Sequence, residues 1–143
     1  MLPFEVALTA GESPYRQIVY AATRAVVSGD LTVGAPFPSV RVLSQSLKVN
    51  PNTAQKAVAE LVRAGLLEVR PGVGTVVANW GPASAAERRA LLSGELERLL
   101  VEARRLGVTK RELLDAVGER WVEMFGDELA VEREESARGR AGA

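Results

Sequence analysis

PSVRVLSQSLKVNPNTAQKAVAELVRAGLLEVRPGVGTVV, residues Pro38 to Val77, is the stretch whose reading decides the fold. Apolar residues recur at helical period through Val42–Val62, then change to strand-like runs at Leu66–Val69 and Thr75–Val77. The order is helix, tight turn, helix, two-stranded hairpin. This predicts a mainly α fold with a small β-hairpin, arranged as a winged helix-turn-helix.

The second helix carries the sharpest signals. Asn50 suits an N-cap because its side-chain oxygen can accept from the orphan amides of the first turn, and Pro51 follows where a missing N–H costs nothing. A helix over 51–64 results, closed by Gly65 at the position that favours a left-handed residue. Ala54, Ala57, Val58, Leu61 and Val62 share one face; Asn52, Gln55, Lys56, Ala59 and Arg63 lie on or beside the other. The outer face is thus amide-rich and basic.

Working outward toward the N-terminus, Ser39 is an N-cap for a helix over 39–47, and the loop Leu31–Phe37, with Gly34 and Pro36, cannot be helical. Ser13-Pro14 opens a helix over 14–28, with Ile18, Ala21, Ala22, Ala25 and Val26 inward and Gly29-Asp30 closing it. The expected core is Ile18, Ala22, Leu43, Leu47, Val58 and Leu61. Phe4, Val6 and Leu8 alternate with Glu5 and Ala7, which fits either a short extended segment or a partly ordered tail. At the hairpin tip Gly72 and Gly74 permit positive φ and close backbone approach to a ligand surface; the turn alone is the competing reason for them.

Working outward toward the C-terminus, the expected first domain ends at residue 78 and a linker, Asn79–Ala83, follows with Gly81-Pro82. Ser84-Ala85-Ala86-Glu87 and Thr109-Lys110-Arg111-Glu112 are two capping boxes, predicting helices over 85–106 and 110–125 separated by Gly107. Leu92, Leu96, Leu99, Ala103 and Leu106 form one apolar seam, and Leu114, Val117, Trp121 and Met124 a second. Two such helices cannot bury both seams alone, so residues 84–126 are expected to form a two-helix dimerisation lobe in a homodimer. Folding back onto the chain's own winged helix is the alternative. Gly94 inside the first helix costs roughly 1 kcal/mol relative to alanine, and close approach of another helix is the expected reason for it. Residues 127–143, rich in Glu, Arg, Gly and Ala, are expected to be a charged, partly disordered tail.

Composition narrows the chemistry. The 143 residues allow one compact domain, or a small domain with an appendage. The 18 basic and 18 acidic residues cancel, but residues 14–78 hold seven Lys/Arg against three acidic residues, a net +4, whereas residues 81–143 hold eleven against thirteen, a net −2. A local basic face is what nucleic acid requires, so a neutral total does not exclude it. With no cysteine and no histidine, disulfides, thiol nucleophiles, imidazole bases and the usual zinc or copper ligands are absent. No cofactor and no metal site are expected, and the scattered carboxylates and Ser/Lys pairs suggest no enzyme site. The N-terminus lacks the basic start and apolar core of a signal peptide, and no apolar run approaches the ~18 residues that span a bilayer. A cytoplasmic location without membrane contact is expected.

Pro38-Ser39-Val40-Arg41, Val49-Asn50-Pro51-Asn52-Thr53-Ala54-Gln55-Lys56-Ala57, Gly65-Leu66-Leu67 and Gly72-Val73-Gly74-Thr75 together resemble the DNA-binding domain of GntR-type bacterial transcription regulators. Gly11-Glu12-Ser13-Pro14-Tyr15-Arg16-Gln17-Ile18 is similar to the opening of the YtrA-type subfamily, so the resemblance covers about the first 78 residues. It implies a dimeric, sequence-specific regulator, a repressor, on double-stranded operator DNA. In that reading the helix over 51–64 enters the major groove: Asn52 and Gln55 can offer paired donor and acceptor groups to adenine, and Thr53 can meet a thymine methyl. Ser39, Arg41, Lys48, Lys56 and Arg70 then contact mainly phosphates, with Arg41 also a candidate for a base. Asn50 and, on the wing, Gly72, Gly74 and Thr75 complete the candidate interface. The chain departs from the family pattern at Ala35-Pro36, Phe37, Pro71 and Val73; the last two replace basic wing residues, which weakens phosphate anchoring there. A winged helix used purely as a protein-interaction module is the alternative, and it predicts an apolar or acidic outer face on 51–64. The resemblance leaves an effector unidentified; a small-molecule pocket would lie between the lobes or at the dimer interface.

Overall fold

A computed structural model describes residues 2–126 of the chain, so the tail expected over 127–143 lies outside the described residues. Helices begin where the sequence supplies a cap. Ser13 accepts from the Arg16 amide at the head of α1 (Pro14–Val27), Ser39 from Val42 at 3.2 Å for α2 (Val40–Leu47), and Asn50 from Asn52 at 2.8 Å for α3 (Pro51–Arg63). Each helix is one residue shorter than predicted, because the last or first residue is the cap itself. At the end of α3, Gly65 (φ 79°) donates to Val62 and Leu66 to Leu61, both at 3.0 Å. This pair of bonds satisfies the last carbonyls and turns the chain into the hairpin.

The hairpin consists of β1 (Leu67–Arg70) and β2 (Gly74–Val77), antiparallel, with Leu67 opposite Val77 and Arg70 opposite Gly74. Both strands sit one residue from their predicted positions. The loop before α2, predicted only to be non-helical, in fact lies along β2: Gly34 donates to Val77 at 2.8 Å, Val77 to Ala35 at 2.9 Å and Phe37 to Thr75 at 2.8 Å. The outer edge of β2 is thereby covered instead of left open, and the base of the wing is tied to the residues that lead into Ser39.

Ile18, Val26, Leu43, Leu61, Leu67 and Val77 are the largest fully buried side chains, and each contributes about 1.5–3 kcal/mol by leaving water. Ala22 and Ala25 on α1 and Ala54 and Ala57 on α3 are also buried, so small side chains line the two helices that pack most extensively on each other. Leu47 and Val58, expected in the core, are half-buried at its edge, and Val62, expected inward, is exposed at 37%. The buried stripe runs 54, 57, 61, and Val62 falls beyond its margin. The N-terminal segment forms no strand but is anchored: Phe4 is buried and stacks on Phe37 with ring centroids 5.5 Å apart.

The chain divides into two compact units between Gly81 and Pro82, and residues 78–84 form neither helix nor strand. In the second unit both capping boxes are complete, Ser84 with Glu87 and Thr109 with Glu112. The helix predicted over 85–106 is α4 (Ala85–Ala90), a π-helical turn (Leu91–Glu95) and α5 (Leu96–Arg105). Gly94 lies in that turn, and no heavy atom lies within 4 Å of where its Cβ would be, so close helix approach is not its reason among the described residues. Ser93 bonds back to the Arg89 carbonyl, and a Ser-Gly pair is a place where the regular ladder gives way. Gly107 and Val108 close α5 by the same two-bond motif as Gly65 and Leu66. The following helix, α6 (Lys110–Phe125), begins as predicted.

Candidate nucleic-acid interface

On α3, the cap at Asn50 and the burial of Ala54, Ala57 and Leu61 fix which side faces out. Asn52, Gln55 and Lys56 are exposed, and Thr53 is half-buried beside them. Spacings of three and four put Asn52, Gln55 and Lys56 on one helical surface. Among the described residues none of these three side chains bonds within the protein, so the amides keep their donor and acceptor groups for a partner.

Charge on this side is divided unevenly. Arg41 on α2, Lys48 in the turn and Lys56 on α3 are exposed and have no carboxylate within 4.0 Å among the described residues. Lys48 adopts the left-handed conformation (φ 54°, ψ 46°) that caps α2, although a non-glycine residue there costs roughly 1–2 kcal/mol. Farther along α3, Arg63 is held by Glu60, with Nε to Oε2 at 2.8 Å. That bond lowers the Glu60 pKa and raises that of Arg63, so the pair stays ionised and nearly self-cancelling. Arg70, predicted as a free phosphate contact, donates from Nε to Glu68 at 2.9 Å on its own strand. Its charge is therefore shared, a pairing that the two-residue spacing on one strand face makes geometrically natural. Free positive charge is concentrated at Arg41, Lys48 and Lys56.

Ser39 and Asn50 use one side-chain acceptor each in capping, which leaves the Ser39 hydroxyl hydrogen and the Asn50 NH₂ as donors. On the wing, Gly72 (φ 76°) and Gly74 (φ 111°) adopt positive φ, so the turn by itself requires glycine there. Thr75 is half-buried. Sequence reasoning does not single out Tyr15, which with Thr53, Lys56, Ala59, Glu60 and Arg63 lines a groove where the start of α1 meets α3. A lone aromatic in a first helical turn gives no periodic signal to find it by.

In the second unit the predicted seam residues are at the surface. Leu92 lies in the π-helical turn, Leu96, Leu99 and Leu106 on or after α5, and Leu114, Val117 and Trp121 on α6; all are exposed, while Met124 is half-buried. Trp121 meets Phe125 edge-on at 5.1 Å. The two helices barely pack on each other, and an apolar groove between them is lined by Leu96, Leu99, Leu100, Leu113 and Val117.

A helix-turn-helix whose outer helix presents unengaged amides among free cations, followed by a wing, defines a DNA-binding transcription regulator of the winged-helix class. Residues 14–77 match the family described as bacterial regulatory proteins, gntR family. The uncharacterized HTH-type transcriptional regulator YhcF of Bacillus subtilis (strain 168) is 34% identical over 103 residues, covering 72% of this chain and 85% of that protein. The HTH-type transcriptional repressor YtrA of the same organism is 30% identical over 106 residues, covering 73% and 82%. Among solved structures, a transcriptional antiterminator from Listeria monocytogenes EGD-e superposes with a TM-score of 0.70 at 28% identity, covering 86% of this chain and 96% of that one. The chain belongs to the GntR family of bacterial transcriptional regulators and is similar to its YtrA-type members. These are DNA-binding regulators and not enzymes.

Proposed function

We propose that the protein is a dimeric repressor that binds a pseudo-palindromic operator, with α3 in the major groove and the wing on the adjoining backbone. The observation that carries this reading is the outer face of α3, where Asn52 and Gln55 lie unengaged between the unpaired cations Arg41, Lys48 and Lys56. Such a face supplies base-reading amides and phosphate-seeking charge together. Arg41, Lys48 and Lys56 hold phosphates, Ser39, Asn50 and Gly72 add neutral donors, and Arg70 adds a shared charge. The exposed seams of α5 and α6 join two copies, and a twofold dimer presents its recognition helices about one helical turn, ~10 bp, apart. The site of action is cytoplasmic; no helix among the described residues is long and apolar enough to cross a membrane.

Selection of bound sequences from random duplex DNA tests the reading, and paired half-sites are the expected product. Asn52→Ala and Gln55→Ala are each expected to relax base preference at one position per half-site, by roughly 1–3 kcal/mol for a bidentate pair to one base. Non-specific affinity should hardly change. A variant that weakens all duplexes equally would reassign that residue to positioning.

Arg70→Ala is expected to make the log–log salt dependence of binding shallower by about one unit for each phosphate that Arg70 neutralises, or about two per dimer. Glu68→Ala, which frees the Arg70 guanidinium from its 2.9 Å bond, should strengthen binding instead. Salt titrations of both folded variants check this pair, and an unchanged slope for Arg70→Ala removes it from the phosphate-binding residues.

A further inference from the structure

We propose that the wing tip, Pro71 to Gly74, is an uncharged probe of the minor groove, and that Val73 makes the protein select A·T pairs beside each half-site. This rests on the DNA-binding reading and adds to it a specificity determinant. The strands are four residues long, so the hairpin reaches about 13 Å beyond its buried base at Leu67 and Val77. At its end Val73 is 72% exposed, the most exposed large apolar residue of the described chain, and Val69 is 65% exposed on β1. Pro71, Gly72 and Gly74 carry no polar side chain.

Its surroundings indicate what it meets. Phe37, two residues before the cap of α2, bonds Thr75 at 2.8 Å, which fastens the base of the wing beside the segment that leads to Ser39 and Arg41. Only Ala64, Gly65 and Leu66 separate α3 from β1. With α3 in the ~12 Å major groove, the hairpin crosses the neighbouring backbone to the minor groove, which is about 6 Å wide and admits a single tight turn but not a helix. Two valines are far too little surface for a stable protein interface, which needs about 1,000 Å². The nearby free cations favour an anionic duplex.

The chemistry of the tip then selects the base pair. The Val73 N–H is taken by the Arg70 carbonyl at 3.0 Å, whereas the Gly72 N–H has no acceptor among the described residues. The tip therefore offers a backbone donor and valine methyl groups, and no side-chain acceptor. An A·T pair presents only acceptors in the minor groove, adenine N3 and thymine O2, which complement a donor. A G·C pair adds the guanine N2 amino group, which would be desolvated against another donor and methyl groups without a partner. Narrow A·T-rich grooves also fit a small uncharged tip closely.

The test uses the full chain and operators obtained by selection, with the positions beside each half-site made A·T, G·C or inosine·C. Inosine lacks only the minor-groove amino group, so it isolates the contact proposed. G·C flanks are expected to weaken binding about tenfold, within the range for one mismatched base pair, and inosine·C flanks to restore it. Val73→Lys, at an exposed position that leaves the melting temperature unchanged, should reduce the flank discrimination below about twofold and steepen the salt slope by about two units per dimer. Equal affinity for all three flanks with operator binding intact overturns this inference alone. Failure to bind any duplex overturns the DNA-binding reading itself. A Val73→Lys variant that changes the sedimentation coefficient and keeps the flank preference assigns the tip to a contact between copies of the protein, and also overturns the proposal.

Discussion

A fragment ending at Gly81 is expected to be a folded monomer whose operator affinity is about 10²–10⁴-fold below that of the full chain. Folding is expected to survive because the first unit holds its own core: Ile18, Leu43, Leu61, Leu67, Val26 and Val77 are all fully buried within it. Dimerisation is expected to disappear because the apolar surface without a partner lies in the second unit. Leu99, Leu114, Val117 and Trp121 are each about half exposed there, from 48% to 58%. Exposed aliphatic and aromatic side chains in contiguous rows mark an interaction surface, and aromatics tend to dominate such interfaces. With every DNA-facing residue intact, the fragment forfeits only the linked second half-site, and that alone supplies the weakening through effective concentration. Sedimentation and operator titration of the fragment check both parts. A fragment that stays dimeric and binds with full affinity would place dimerisation in the winged unit and leave the helical unit without a role.

Legibility in the sequence follows the range of the interaction. Asn50-Pro51, Ser39, both capping boxes and the helix-closing glycines act within four residues of themselves, and each occurs where the local pattern puts it. The outward set on α3 follows from the same periodicity, since burial of Ala54, Ala57 and Leu61 leaves Asn52, Gln55 and Lys56 outside. Features set by distant partners are not legible. The pairing of residues 34–37 along β2 joins segments about forty positions apart, and no alternation marks it in a loop containing Pro36. The Glu68 partner of Arg70 is local, but it depends on a strand register one residue from the predicted one. Gly94 is legible as unfavourable in a helix; its outcome, a wider helical turn, arises from backbone hydrogen bonding that apolar spacing does not encode. Leu92 illustrates the consequence, because a wider turn shifts it relative to the seam through Leu96 and Leu99.

Phe4→Ala is expected to destabilise the winged unit by about 3 kcal/mol, the lower end for emptying a buried phenylalanine site. Sequence alone leaves this residue between an extended segment and a loose tail, yet its ring is only 8% exposed and stacks on Phe37 at 5.5 Å with 19° between the planes. Leu2 and Val6 pack partly on the same core, and Gln17 holds the far end of the segment: the Thr9 amide donates to its Oε1 at 2.6 Å, and its Nε2 donates to the Glu12 carbonyl at 3.2 Å. Phe37 is the other half of the stack and is itself bonded to β2 through Thr75. Removing the Phe4 ring therefore opens a cavity against the strut that joins the wing to α2. In a unit of this size each kcal/mol corresponds to about 4–8 °C, so the thermal midpoint should fall by roughly 12–24 °C. Asn52, Gln55 and Lys56 lie on α3, outside this stack, so operator affinity well below the transition should be nearly unchanged. Calorimetry and operator titration of the variant separate the two effects. A midpoint within about 2 °C of the parent would show that the N-terminal segment contributes no packing energy, and that Phe37 is covered by other means.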